Sequence, residues 1–137
     1  MKYFSKKCEY KGIAFDSRAE RDRYILLSSL QDKGMIEGLE LQKEFEILPK
    51  QIGTRTITLK TKTKEVEYVD EQAVKYHADF FYYDVTKKRY VIEELKSKMT
   101  MKVRDYPLRR KLVKLMVRRM NDEIGYEQFE FSEVIAK

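Results

Sequence analysis

The chain has 137 residues, a length suited to one domain, and its 42% hydrophobic and 12% aromatic content excludes a disordered polymer. A single cysteine and a single histidine exclude a disulfide framework and a Cys/His zinc site. The charged share is 38% with a net charge of +6, and no apolar run approaches the length of a membrane span. The opening MKYFSKKCEYKG is basic without an apolar core, so no signal peptide is expected and the setting reads as reducing and cytoplasmic.

In chain order, residues 3–15 read as a short extended arm or hairpin turning at Gly12. FDSRAE announces a helix over about 17–33, with Ser17 and Glu20 at capping-box spacing. Its apolar stripe is Tyr24, Leu27 and Leu30, widened by Ile25 and Leu26, and Gly34 follows its end. LELQKEFEIL (39–48) alternates as a strand does, and Pro49 ends it. RTITLKTKTKEVEYV (55–69) reads as an edge strand or a protruding hairpin. Strands are expected at 75–83 and 89–95 around the turn DVTKK, and Pro107 suits the first turn of a second helix. That helix carries the apolar stripe Leu108, Leu112, Leu115, Met116 and Met120, and Gly125 closes it. EQFEFSEV is a last strand with Phe129 and Phe131 inward. The order implies one α/β domain over 1–137, a mixed central sheet flanked by helices.

The basic residues are clustered. Residues 96–119 hold ten Lys/Arg against one acid, Asp105, and residues 48–64 hold five against none. Exposed helices usually mix signs, so the first run points to a polyanion and specifically to phosphate-backbone binding by Lys98, Lys102, Arg104, Arg110 and Lys111. The tyrosines read mostly as core, and Tyr106, beside Pro107 in the basic region, is the one to test for DNA contact. The Lys60/Lys62/Lys64 ladder has two readings, protection of a sheet edge or DNA contact.

Charges also sit where buried strands rarely carry them. With a period of two, Tyr90, Ile92, Glu94 and Lys96 share a face, as do His77, Asp79, Phe81 and Tyr83. An antiparallel pairing of the two strands would bring Asp79 opposite the Glu94 region. Two carboxylates there repel, and a hard divalent ion, most simply Mg²⁺, would relieve them. Such an ion acidifies a water and stabilises charge on a phosphate, with Lys96 on the same face to assist. Glu93 is the rival to Glu94, but only Glu94 shares a face with Lys96. Glu20 has an equally good reading as a helix cap. His77, on the face of Asp79, could act as a general base, but a lone histidine in an aromatic strand is more often structural.

Asp79 followed by E-L-K at 94–96 resembles the PD-(D/E)XK nuclease superfamily, with Ala78 where that motif has proline. The ordered segments GIAFDSRAERDRY, GMIEGLELQKEFEI, YHADFFYYD, YVIEELKSKMT and YPLRRKLVKL are similar to a phage-encoded branch of it, catalogued as a domain of unknown function. That branch is similar in turn to phage Holliday-junction resolvases and to transposon end-cleaving nuclease subunits. The resemblance implies a restriction-endonuclease-like core and a Mg²⁺-dependent endodeoxyribonuclease, with Mn²⁺ able to substitute. It implies Asp79, Glu94 and the Leu95 carbonyl as metal ligands, Lys96 as the catalytic lysine, Glu20 as an accessory carboxylate and Gln42 as an ordering residue. The expected product ends are a 5′-phosphate and a 3′-hydroxyl. The expected role is phage DNA recombination or processing in a bacterial cytoplasm, on branched DNA such as a Holliday junction. Two symmetric nicks would need a homodimer. The alternatives are a non-cleaving DNA-binding recombination module and a nicking subunit active only within a larger complex.

Overall fold

The computed structural model describes residues 7–97 and 105–136. By its internal contacts the chain divides into two compact units, one of residues 1–43 with 77–137 and one of residues 44–76. The architecture is α/β with a mixed sheet and two helices, as the element order implies.

In the first unit, β1 (Cys8–Tyr10) and β2 (Ile13–Phe15) form the expected small hairpin. Lys11 and Gly12 turn it, both at positive φ, the conformation tight two-residue turns demand. Helix α1 (Arg18–Asp32) begins at Ser17, whose side chain accepts from the Glu20 backbone N–H at 3.1 Å. The Ser17-x-x-Glu20 spacing therefore does cap the helix. The main sheet has the order β3-β6-β7-β8, built from β3 (Ile36–Leu48), β6 (Val74–Asp84), β7 (Arg89–Lys96) and β8 (Phe129–Ile135). β6 and β7 pair antiparallel, whereas β7 and β8 pair parallel through the crossover helix α2 (Tyr106–Ile124).

One face of the sheet receives α1. Leu27 is buried with Ile36, Phe80, Tyr82 and Val91, and Tyr24, Leu30, Leu39 and Leu41 pack around them. Each fully buried aliphatic or aromatic side chain there contributes roughly 1.5–3 kcal/mol. On the α2 side the apolar stripe differs from expectation. Val113, Met116 and Val117 are buried, while Leu108 is 62% and Leu115 41% exposed. The helix is apolar on more than one side, so its sequence fits two rotations, and β8 selects the one that buries the β-branched pair. The Asn121 amide fixes that rotation. Its Oδ1 accepts from Gln128 and Phe129 N–H at 3.0 and 2.8 Å, and its Nδ2 donates to the Phe129 carbonyl at 3.0 Å. Gly125, at φ 95°, ends α2 in the left-handed conformation that glycine adopts without strain.

In the second unit, β4 (Gln51–Thr58) and β5 (Thr63–Glu71) pair antiparallel as a two-stranded ribbon. Of the two readings of residues 55–69, the hairpin is the one formed. Among the described residues, no helix is long and apolar enough to cross a membrane.

Candidate active site

The β6–β7 ladder ends before its strands do. Its last pair is Phe80↔Glu93, and the same register continued would set Asp79 opposite Glu94. Beyond that pair the Leu95 N–H bonds a side chain instead, donating to Asp79 Oδ2 at 2.8 Å. A short acidic side chain thus takes the place of a ladder acceptor, which gives a physical reason for aspartate, otherwise depleted in strands, at this point. The Lys96 carbonyl accepts from Ala136 N–H on the β8 side, so one residue back the Leu95 peptide groups address the opposite edge, toward Asp79.

The second Asp79 oxygen meets β3. Gln42 Nε2 lies 3.4 Å from Asp79 Oδ1. Gln42 has φ 52° in the middle of a strand, a left-handed conformation that costs a non-glycine residue on the order of 1–3 kcal/mol. Backbone strain is thereby concentrated at the residue whose amide reaches the carboxylate.

Glu94 and Lys96 share a face, as a period of two requires. Lys96 Nζ lies 2.7 Å from Glu94 Oε1, with Arg109 of α2 at 3.9 Å from the same oxygen. Glu94 is only 4% exposed, and its Oε2 is buried with no hydrogen-bond partner among the described residues. The Lys96 ammonium also sits 5.0 Å above the Tyr106 ring, a cation–π contact that fixes its position. Glu93 faces the other way. Arg23 binds it through two hydrogen bonds of 2.8 and 2.6 Å, and the Tyr82 hydroxyl donates at 2.9 Å. This pairing raises the Arg23 pKa, while burial and the neighbouring Glu93 charge push the Tyr82 phenol up.

Glu20 stands at the start of α1 and lines a small hollow with Asp16, Gln42 and Asp79. Burial holds its carboxyl above the ordinary glutamate value, and the charges of Asp79 and Asp16 add to that. Hydrogen bonding with the Asp16 backbone and the Ser17 side chain offsets part of it. Asp79 is likewise raised, first by burial and then by Glu94, against the opposing effects of Leu95 N–H, Lys96 and Gln42. Glu133 on β8 pairs with Glu94 in the parallel register and is raised by burial and by the Glu94 charge. The carboxylates of positions 16, 20, 79, 94 and 133 thus form one linked electrostatic system, with the Lys96 ammonium inside it.

The structure brings Glu20, Gln42, Asp79, Glu94, Leu95 and Lys96 into this one region. Glu20 donates its backbone N–H to the Ser17 cap, and its carboxyl feels the Asp79 charge. Of the basic residues read as DNA contacts, Lys111 is exposed and Arg110 is half-buried, 5.8 Å over the Tyr106 ring. Lys98, Lys102 and Arg104 lie outside the described residues. Tyr106 is 1% exposed beneath Lys96 and Arg110, so its ring is a packing surface and not a DNA contact. His77 is exposed on its strand. Sequence reasoning missed Asp16, Arg109 and Glu133. Glu133 carried one signal, since a period of two puts it on the face of Phe129 and Phe131, which reads as inward.

Among the described residues, no group of three or more His, Cys, Asp or Glu side chains is arranged as a ready metal cage. Mg²⁺ does not need one, since it binds through one or two carboxylates and keeps several waters. The donor set fits it: hard oxygens, a buried Glu94 oxygen without a partner, and an Asp79 carboxyl whose ionisation is opposed by burial and by Glu94.

A family model described as "Protein of unknown function (DUF1064)" matches residues 1–133. No curated protein and no solved structure gives a significant match.

Proposed function

The chain belongs to that family of unknown function, and we propose that it is a metal-dependent DNA endonuclease whose active site is built on Asp79, Glu94 and Lys96. The observation that carries this reading is the convergence of a buried, partly unpartnered Glu94, a lysine 2.7 Å from it and an Asp79 carboxylate held by the Leu95 N–H. A buried carboxylate oxygen without a partner is uncommon, and a bound cation would account for it.

Asp79, Glu94 and the Leu95 carbonyl would hold Mg²⁺, or Mn²⁺ in its place. When bound, that ion supplies an acidified water and neutralises charge on the phosphate. The protein's own groups do the rest. The Leu95 N–H and Gln42 amide orient the Asp79 carboxylate. Lys96, fixed over Tyr106, places a proton donor and a positive charge beside the reacting phosphate. Glu20 adds a second carboxyl within reach of Asp79's charge, its pKa raised by burial and by that charge. Arg110 and Lys111, near the start of α2, contact the DNA backbone, which carries affinity without sequence preference. Branched DNA in phage recombination is the proposed substrate and setting, and paired nicks on it would require a homodimer.

The test is purified protein with end-labelled linear, nicked and four-way DNA, in Mg²⁺, in Mn²⁺ and in chelator. Cleavage leaving 5′-phosphate and 3′-hydroxyl ends, strongest on the junction and absent with chelator, is expected. Binding without cleavage in any metal would instead indicate a non-cleaving recombination module.

A further inference from the structure

From the Gly53–Tyr68 pair to its turn, the β4–β5 ribbon separates its charges by face. The register pairs Gly53 with Tyr68, Arg55 with Val66 and Ile57 with Lys64, and these side chains share one face. Thr54 opposite Glu67, Thr56 opposite Glu65 and Thr58 opposite Thr63 make up the other. Arg55 and Lys64 therefore stand across from apolar residues and not from carboxylates. The loop beyond them adds exposed Lys60 and Lys62, closed by Leu59 N–H donating to the Lys62 carbonyl at 2.8 Å. Glu65 and Glu67, the acids between Tyr68 and the turn, point the opposite way, and Asp70 and Glu71 lie at the far end of β5.

The basic face also carries an aromatic platform. Tyr68 lies against the ribbon where Gly53 leaves room: a Cβ at Gly53 would stand 2.6 Å from its ring. The ring is 40% exposed, and the Arg55 guanidinium lies 5.7 Å over it. Stacking on a ring holds arginine in place, so less side-chain freedom is lost when it meets a phosphate. Edge protection by lysine needs charge alone and is indifferent to face. Arg55 and Lys64 share a face with an exposed tyrosine, Lys60 and Lys62 extend the charge into the turn, and Glu65 and Glu67 lie on the other face, an arrangement suited to a polyanion.

We infer that this ribbon is a second DNA-binding element that grips the duplex backbone with Arg55, Lys60, Lys62 and Lys64. It rests on the DNA-nuclease reading for the identity of the polyanion. A two-stranded ribbon is also narrow enough to enter the major groove. Without base-directed side chains of matched chemistry, its contribution is sequence-independent.

The test uses the full chain, in chelator, with a fluorescent mixed-sequence duplex, titrated over a range of salt. Arg55, Lys60, Lys62 and Lys64 are changed together to Gln. Because all four are exposed, folding should be kept, and the melting midpoint checks this. Charge-matched Gln replacement of exposed Lys11, Lys33, Lys87 and Lys88 serves as control. The ribbon variant should bind at least about tenfold more weakly, with a log–log salt slope shallower by about 2–4, since each phosphate contact contributes about 0.9. A loss no larger than the control's, or unchanged affinity with new self-association in light scattering, would overturn the inference. Because cleavage is not measured, this result stands apart from the metal-dependent assay that tests the nuclease reading.

Discussion

Glu93 and Glu94 are neighbours in the chain with opposite fates: Glu93 is bound by Arg23 on the α1 face of the sheet, and Glu94 by Lys96 on the α2 face. The first is a satisfied structural anion. The second keeps a buried oxygen without a partner among the described residues. Two identical side chains one residue apart are thus divided between a closed structural pair and the carboxylate on which the proposed chemistry rests.

The structural half makes a direct prediction. Arg23→Ala leaves Glu93 buried, at 0% exposure, with only Tyr82 to satisfy it. Removing one partner of a buried pair costs about 3–5 kcal/mol, because an uncompensated charge remains. Urea denaturation of the variant should show that loss, and Glu93→Gln should lose clearly less.

Asn121 is a second structural test. Its amide makes three hydrogen bonds to the chain entering β8. At roughly 1 kcal/mol each, Asn121→Ala should cost about 2–4 kcal/mol in the same measurement. Salt dependence of DNA binding should be unchanged.

Glu20 can be separated into its two roles. Ser17→Ala removes the cap that the Glu20 N–H donates to and should cost about 1 kcal/mol while leaving cleavage near normal. Glu20→Gln keeps capping-box chemistry and loses the carboxylate. Its stability should match the parent's, and its cleavage rate should fall by about 10–100-fold, as for other groups that support a metal site. Cleavage unchanged in Glu20→Gln would leave Glu20 as a cap only.

Asp79 carries the pH prediction. Its folded pKa lies above the ordinary aspartate value, chiefly through burial. Folding therefore favours its protonated form: the contribution is fully present below the unfolded pKa and is lost as pH rises through the folded one. In metal-free protein near neutral pH, Asp79→Asn should melt a few degrees above the parent. Between acid and neutral pH, the parent should lose stability relative to the variant. Mg²⁺ should raise the parent's midpoint and leave the variant's in place. A higher midpoint for the parent without metal would contradict this account.

Local signals made much of this legible in the sequence. Ser17 and Gly125 delimit helices by backbone chemistry that needs no partner. The period of two placed Glu94 with Lys96 and apart from Glu93, and an aspartate directly before the aromatic run 80–83 marked the place where the ladder opens. What was hidden depends on long-range pairing. Glu133 meets Glu94 only because β8 returns parallel to β7 after α2. Arg23 reaches Glu93 across 70 positions of chain. The rotation of α2, with Leu108 outward and Val113 inward, is set by β8 and by Asn121 and not by its own periodicity. Tyr106 looked like a DNA contact because its neighbours are basic, but those same cations lie over its ring.

The most direct measurement is the cleavage rate of Lys96→Ala on junction DNA in Mg²⁺, set beside its affinity for the same DNA in chelator. Removing the ammonium should lower cleavage by at least about 100-fold, the scale of losing one transition-state donor, with affinity within a few-fold of the parent's. A variant that cuts as fast as the parent would show that hydrolysis, if present, occurs somewhere other than beside Glu94.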